Sequence, residues 1–434
     1  MGIKRDSFWV LLTSCLLGLV EIGIEITIAR TLGPDGRGQF AICWSFLNIL
    51  MMIGVFGVHD ANTYYLASSK LTISQVFWTS ICIGVLGSLI IGFGAYRVIH
   101  LPLDFFSKAS RTEFLLSIIA MCPFVLSLYL VAILRGTFSY KAMNVIKLLG
   151  PTMALIAIYV LCYQFKLGVK GAMIGRIIGA ISIIIFTAAR LRKHLFFKDF
   201  LKGFKLIPSI LHYALRACFG FFAQRMSAQI GVLVVACFLA PAEVGFYAIA
   251  IAMVTRIQVM PNALRLVLMP KLAQLNAIDG VLVSRSLRIM IPIVMILAVG
   301  LGVICKPFIK YGMGKQFMPA LLPVYLLLIC GVLKSASELV TTYLYGINRP
   351  GISSSIRILG VFVSIVFLWF FVRAYGLIGG CIATVISCML ETLVMLLVFI
   401  RMSGVKSWRL LVLQKSDIAY LWNSVSSLVV PFRK

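Results

Sequence analysis

Apolar residues in this chain come in blocks of about twenty or more, divided by short polar stretches: 8–29, 39–66, 74–96, 113–134, 143–164, 170–189, 211–238, 244–267, 287–305, 318–342, 353–372 and 377–400. A helix needs about 20 mostly apolar residues to cross the hydrocarbon of a bilayer. A membrane-spanning barrel would instead show alternating segments of about ten residues, and this chain has no such alternation. The pattern predicts an all-α polytopic membrane protein with about twelve transmembrane helices. The first block follows Lys4 and Arg5 and outruns the core of a signal peptide, so it reads as a retained first helix.

The blocks fall into two similar sets of six. LGPDGRGQFAI at 32–42 is echoed by LAPAEVGFYAI at 239–249, an offset of 207. GVKGAMIG at 168–175 is echoed by GLIGGCIA at 376–383, an offset of 208. Leu134-Arg-Gly136 and IKLLG at 146–150 are echoed by Leu344-Tyr-Gly346 and IRILG at 356–360, an offset of 210. Three matches in sequence order at nearly one offset mark an internal repeat. An even number of helices per half sends both halves into the membrane in the same direction. The architecture expected is therefore two six-helix pseudo-symmetric bundles around an axis along the membrane normal. The bundles occupy 1–189 and 211–400, with a basic cytoplasmic linker at 190–210. The tail 401–434, with Trp408 and Trp422, reads as a cytoplasmic, interfacial segment.

The repeat motifs also carry a family likeness. The LGPDGRGQFAI stretch, Gly314-Lys-Gln-Phe317 through Ala320, and Tyr345-Gly-Ile-Asn together with AYGLIGGCIATVIS at 374–387 resemble the polysaccharide-type flippases of the multidrug/oligosaccharidyl-lipid/polysaccharide exporter superfamily. That resemblance implies a bacterial inner-membrane protein. It implies transfer of an undecaprenyl-diphosphate-linked oligosaccharide, an O-antigen or capsule repeat unit, to the periplasmic leaflet by alternating access. It also implies a cavity lined largely by helices one, two, seven and eight, with lipid-linked oligosaccharide and membrane lipids as partners and a polysaccharide polymerase as a candidate further partner. The motifs are structural and carry no substrate-contacting residue across to this chain.

Composition sharpens the class. Hydrophobic residues make up 61% and charged residues 12%, against about 45–50% and about 25% in soluble domains. Mean hydropathy is +1.05, which excludes an ordinary soluble enzyme. The formal net charge of +27 raises nucleic acid as a partner, but the basic residues are scattered rather than clustered, so none is expected. With the N-terminus in the cytoplasm, 20 basic residues fall on the cytoplasmic side and 11 on the other. That bias predicts both termini inside. The 11 cysteines lie mostly in apolar blocks with no CxxC pair and read as small core residues. Four dispersed histidines suggest no metal site, and no cofactor is expected.

The remaining charges lie inside the predicted helices: Lys147, Arg176, Arg216, Arg225, Arg256, Arg265, Arg288, Lys334 and Arg357 against Glu21, Glu25, Asp60, Glu338 and Glu391. Each costs about 2.5–3.5 kcal/mol at the bilayer centre, so these charges must pair, snorkel or line a wet cavity. Lys147, Arg216, Arg265, Arg288 and Arg357 sit near predicted helix ends and suit snorkelling. Lys334 and Glu338, spaced i,i+4, suit a pair on one helix. Arg225 and Arg256 read as central to helices seven and eight, and Arg176 as well inside helix six. The candidate substrate-binding cations are Arg225, Arg256, Arg176, Arg216, Lys334 and Arg357, because a guanidinium fork grips a diphosphate with two parallel bonds. Glu21, Glu25 and Asp60 are the candidates for H⁺ or Na⁺ coupling; the rival reading is a permanent Glu21–Arg225 pair. Pro123, Pro151, Pro261 and Pro292 within helices, and Gly54 and Gly57 in helix two, suggest kinks or hinges.

No catalytic signature competes. There is no DxD, no P-loop, no metal-ligand spacing and no outer loop beyond about 16 residues. Those features set aside a glycosyltransferase or polymerase. A multidrug exporter of the same superfamily suits a cavity richer in acids.

Overall fold

A computed structural model describes residues 3–404 except 103, 138–139, 263, 266–267, 269–271, 273–279 and 348. Every regular element among them is helical. The long helices are α1 (Ile3–Val55), α3 (Ile73–Ile99), α4 (Arg111–Gly136), α5 (Tyr140–Tyr159), α6 (Gly168–Leu191), α8 (Ile207–Phe238), α9 (Pro241–Ile257), α10 (Val281–Pro307), α11 (Leu321–Gly346) and α12 (Pro350–Ser403). The shorter α2 (Val58–Ala67) and α7 (Phe200–Lys205) lie between them. Nine helices among the described residues are long and apolar enough to cross a membrane. Two of these are doubled. Leu16–Val55 has 40 residues, about 60 Å of helix against about 30 Å of hydrocarbon. It bends at Gly33, where φ is 68°. Pro350–Ser403 has 54 residues and bends at Gly376, where φ is 57°.

Several boundaries differ from the sequence reading for identifiable reasons. The stretch 30–38, expected as a loop, is helical on both sides of the single left-handed glycine. Pro34 follows directly, where the missing N–H of a first-turn proline costs nothing. The block 39–66 is not one helix: Phe56 (φ 41°) and Gly57 (φ 77°) separate α1 from α2. The block 244–267 breaks after Ile257, four residues before Pro261, whose ring clashes with that carbonyl. Pro123, Pro151 and Pro292 do lie inside helices. The basic linker is ordered: Phe197–Asp199 and α7 carry it helically into α8.

The chain groups into two compact units, Met1–Ala248 with Pro307–Pro319, and Ile249–Lys306 with Ala320–Lys434. In the first, α4 is a central strut whose Phe114, Met121, Tyr129 and Ile133 are fully buried. The Tyr129 hydroxyl donates to Gly54 O at 2.8 Å, so the end of α1 is tied to α4. In the second, Tyr343 of α11 meets Phe399 of α12 edge to face at 4.9 Å. Residues 405–434, where the interfacial tail was expected, lie outside the described residues.

The sequence repeat is visible in backbone contacts within each unit. Gly168 and Gly376, equivalent at offset 208, share a left-handed φ of 59° and 57°. Gly136 packs so closely that a Cβ would sit 2.7 Å from Leu66 Cβ, and Gly346 repeats this at 2.6 Å from Leu272 Cβ. The first pair of motifs meets face to face inside the first unit. Gly38 lies directly on the backbone of Pro241, and its equivalent Gly245 lies against Pro34 O, where a Cβ would be 2.8 Å away. Pro34 and Pro241 are themselves equivalent, so the contact is reciprocal in the way a two-fold interface requires.

Candidate functional site

Charged side chains within the spans form two clusters, one per unit. In the first unit, Glu21 and Glu25 stand one turn apart on α1. The bend at Gly33 returns Arg37 to Glu25, and Arg37 Nη2 donates to Glu25 Oε2 at 2.8 Å. Arg37 is buried with only 5% of its side chain exposed. Glu21 faces Arg176 of α6 at 3.4 Å, through both Nη1 and Nη2. The Arg176 guanidinium also lies 4.8 Å above the Trp44 ring, which steadies a cation out of water. Arg30 donates to the carbonyls of Gly312 at 2.6 Å and Tyr311 at 2.5 Å. Arg37 and Arg176 thus each meet a carboxylate, while Arg30 is held by backbone carbonyls alone.

The second unit is built differently. Glu338 of α11 accepts from Arg357 Nη2 at 3.0 Å and lies 3.7 Å from Arg265 Nη1. Arg357 also donates to Thr341 Oγ1 at 2.9 Å. Both members of the central pair are desolvated, with 10% and 11% of their side chains exposed. Lys334 stands one turn before Glu338, near enough to Glu391 of α12 to feel its charge. Glu391 lies against Gly360, whose added Cβ would be 3.3 Å from Oε2. Three cations, Arg265, Lys334 and Arg357, thus surround two acids.

Each residue expected from the sequence can now be placed. Lys334 and Glu338 do not form the expected i,i+4 pair, because Glu338 is engaged by two arginines from outside its helix. Arg357 and Arg265 do not simply snorkel; both reach Glu338, and Arg265 lies 5.4 Å over the Tyr345 ring. Arg176 is brought to Glu21. Arg256 is not mid-helix but in the last turn of α9, half-buried, with no ion pair among the described residues. Asp60 is not brought to Glu21 or Glu25. It stands in the first turn of α2, 45% exposed, 3.4 Å from His59 Nε2, where a carboxylate suits the helix dipole. Arg216 and Arg225 lie on α8, but their side chains, and with them the Glu21–Arg225 pair, fall outside what is described.

The sequence reading missed Arg37 and Trp44. Arg37 was hidden by taking 30–38 as a loop; the available signal was its place one helical turn past Pro34. Trp44 carried no signal beyond its apolar helix. Among the described residues no group of three or more metal-ligating side chains occurs.

Nine apolar spans among the described residues, with charges buried between them, define the class as a multi-pass membrane protein. A family model described as "Polysaccharide biosynthesis protein" matches residues 27–322, more than half of the chain, and the chain belongs to that family. It is 20% identical over 429 residues to the "Putative O-antigen transporter" of Shigella flexneri, covering 93% of this chain and 99% of that protein. Its fold is that of the lipid II flippase MurJ in an inward closed conformation, with a TM-score of 0.71, 16% identity, and 93% and 90% of the two chains covered. An inward-facing multidrug resistance transporter of the MATE family matches with a TM-score of 0.66 and 16% identity over 89% and 95%.

Proposed function

We propose that this protein is a flippase for an undecaprenyl-diphosphate-linked oligosaccharide, an O-antigen or capsule repeat unit, in the bacterial inner membrane. The observation that carries the reading is the cation excess in the second unit. Among the described residues, Arg265, Lys334 and Arg357 gather around two acids, Glu338 and Glu391. A surplus cation held at low dielectric is an incomplete site, and a diphosphate completes it with charge-assisted bonds. An exporter of cationic drugs would need the opposite imbalance. The chain's similarity to an O-antigen transporter and to a lipid II flippase supports this substrate class. No bond in the substrate is made or broken.

Twelve crossings, six in each repeat, follow if each doubled span crosses twice and α8 crosses once; both termini then share one side, and the bias of basic residues makes it the cytoplasmic one. Movement is alternating access. On that topology the reciprocal Gly38–Pro241 and Gly245–Pro34 contact lies toward the outer side. Glu21 and Glu25 are the groups for H⁺ or Na⁺ coupling, since each is a carboxylate within a span, bonded to an arginine that an entering ion would release.

The test is complementation of a flippase-null strain, with a parallel drug-efflux assay in a pump-deficient strain. Restored surface polysaccharide and a cleared cytoplasmic-leaflet pool of lipid-linked units support the flippase. Drug resistance without polysaccharide rescue overturns it in favour of a multidrug exporter.

A further inference from the structure

A second cationic feature lies away from both clusters. The C-terminal end of α6 and the turn after it border a cavity of about 610 Å³. Arg190, Arg192, Lys193 and His194 line it, and Ile73 and Phe186 form part of its apolar wall. Among the described residues no acid lines the cavity, and none of the three permanent cations has an ion pair. The half charge of a helix C-terminus offsets part of this, but not three full charges.

The chain that follows is fixed in place beside the cavity. Ser74 Oγ and Trp78 Nε1 of α3 donate to Phe196 O at 3.2 and 3.1 Å, and Thr79 Oγ1 donates to Gly203 O at 2.9 Å. Held there, Phe197, Leu201 and Phe204 project outward, Phe197 with 78% of its surface exposed. Lys198, Lys202 and Lys205 alternate with them. Exposed aromatics interleaved with lysines on a docked segment suit the boundary between headgroups and acyl chains.

We infer that the cavity lined by Arg190, Arg192, Lys193 and His194 is a binding site for a phosphate-bearing lipid headgroup, with 196–205 lying on the adjoining lipid. The phosphate completes the uncompensated charge, and an acyl chain covers the exposed rings. Two lipids share this chemistry, an anionic phospholipid and an isoprenoid diphosphate. The site stands independently of the transport reading, because it rests on the cavity and its charge alone.

Purified protein in neutral detergent would be titrated with phosphatidylglycerol, phosphatidylcholine and undecaprenyl diphosphate, reading bound lipid by native mass spectrometry and melting temperature. The test variant is R190Q/R192Q/K193Q; the charge-matched control is K306Q/K310Q/K315Q. Wild type and control should bind phosphatidylglycerol at least ~10-fold more tightly than phosphatidylcholine, and the test variant should lose that preference. Tighter binding of undecaprenyl diphosphate than of phosphatidylglycerol, lost in the same variant, assigns the site to the carrier lipid. Equal binding of both phospholipids by wild type, with no gain for undecaprenyl diphosphate, overturns the inference. So does an unchanged preference in the test variant, or equal loss in the control.

Discussion

The two units share a scaffold and differ in their charges. Gly168 and Gly376 share a positive φ of 59° and 57°, and Gly136 on Leu66 matches Gly346 on Leu272. Around these repeated contacts the ionised side chains do not repeat. In the first unit Glu21 and Glu25 each meet one arginine. In the second, Glu338 is shared by two arginines, and Glu391 replaces Ile183 at offset 208. Among the cations inside the predicted helices, only Lys147 and Arg357 keep a cation at equivalent positions. Glycines that let backbones touch are constrained by shape in both halves. Charges answer to what each half must bind, so asymmetry marks where function departs from fold.

Glu338→Ala should be the most damaging single change. It leaves Arg357 and Arg265 unpaired beside each other, and breaking such a buried pair costs about 3–5 kcal/mol. Thermal melting in detergent should fall sharply, and Glu338→Gln should recover part of the loss through its hydrogen bond. Glu21→Gln breaks a longer pair whose acid is 25% exposed, and should cost under about 1 kcal/mol. Equal losses for Glu338→Ala and Glu21→Gln would erase the contrast between the units.

The reciprocal contact ranks next. Gly38→Ala places a Cβ into the Pro241 backbone, and overpacking of this kind costs about 1–3 kcal/mol. Gly245→Ala meets Pro34 O less severely and should cost less. Accessibility of cysteines introduced near 240 should rise in Gly38→Ala if this contact closes the outer side. Among the glycine changes the smallest effects belong to Gly168→Ala and Gly376→Ala. Neither has a close neighbour, so each should lose only the left-handed preference, about 1–2 kcal/mol, and by similar amounts. A large difference between them would show that the repeat is not energetically equivalent.

The scaffold was legible because its signals are local. Apolar blocks predicted the spans, and glycine motifs at one offset predicted the repeat. Where two strong signals collided, the reading failed: Gly33-Pro34 suggests a loop, yet one left-handed glycine bends a helix without ending it. The ion pairs were not legible, because partners such as Glu21 and Arg176 lie 155 residues apart and no periodicity links them. Burial of Arg357 was missed for the same reason. Its place near a helix end suggested snorkelling, while its acceptor came from α11.

The most direct test of the cation-excess account is the pool of unflipped lipid-linked repeat units in a flippase-null strain carrying wild type, Lys334→Gln or Lys334→Arg at matched membrane levels. Lys334 is close to Glu391 in field but bonded to no acid among the described residues. The account predicts that wild type clears the pool, Lys334→Gln leaves it at least ~10-fold higher, and Lys334→Arg restores most of the clearance. Full clearance by Lys334→Gln would contradict it.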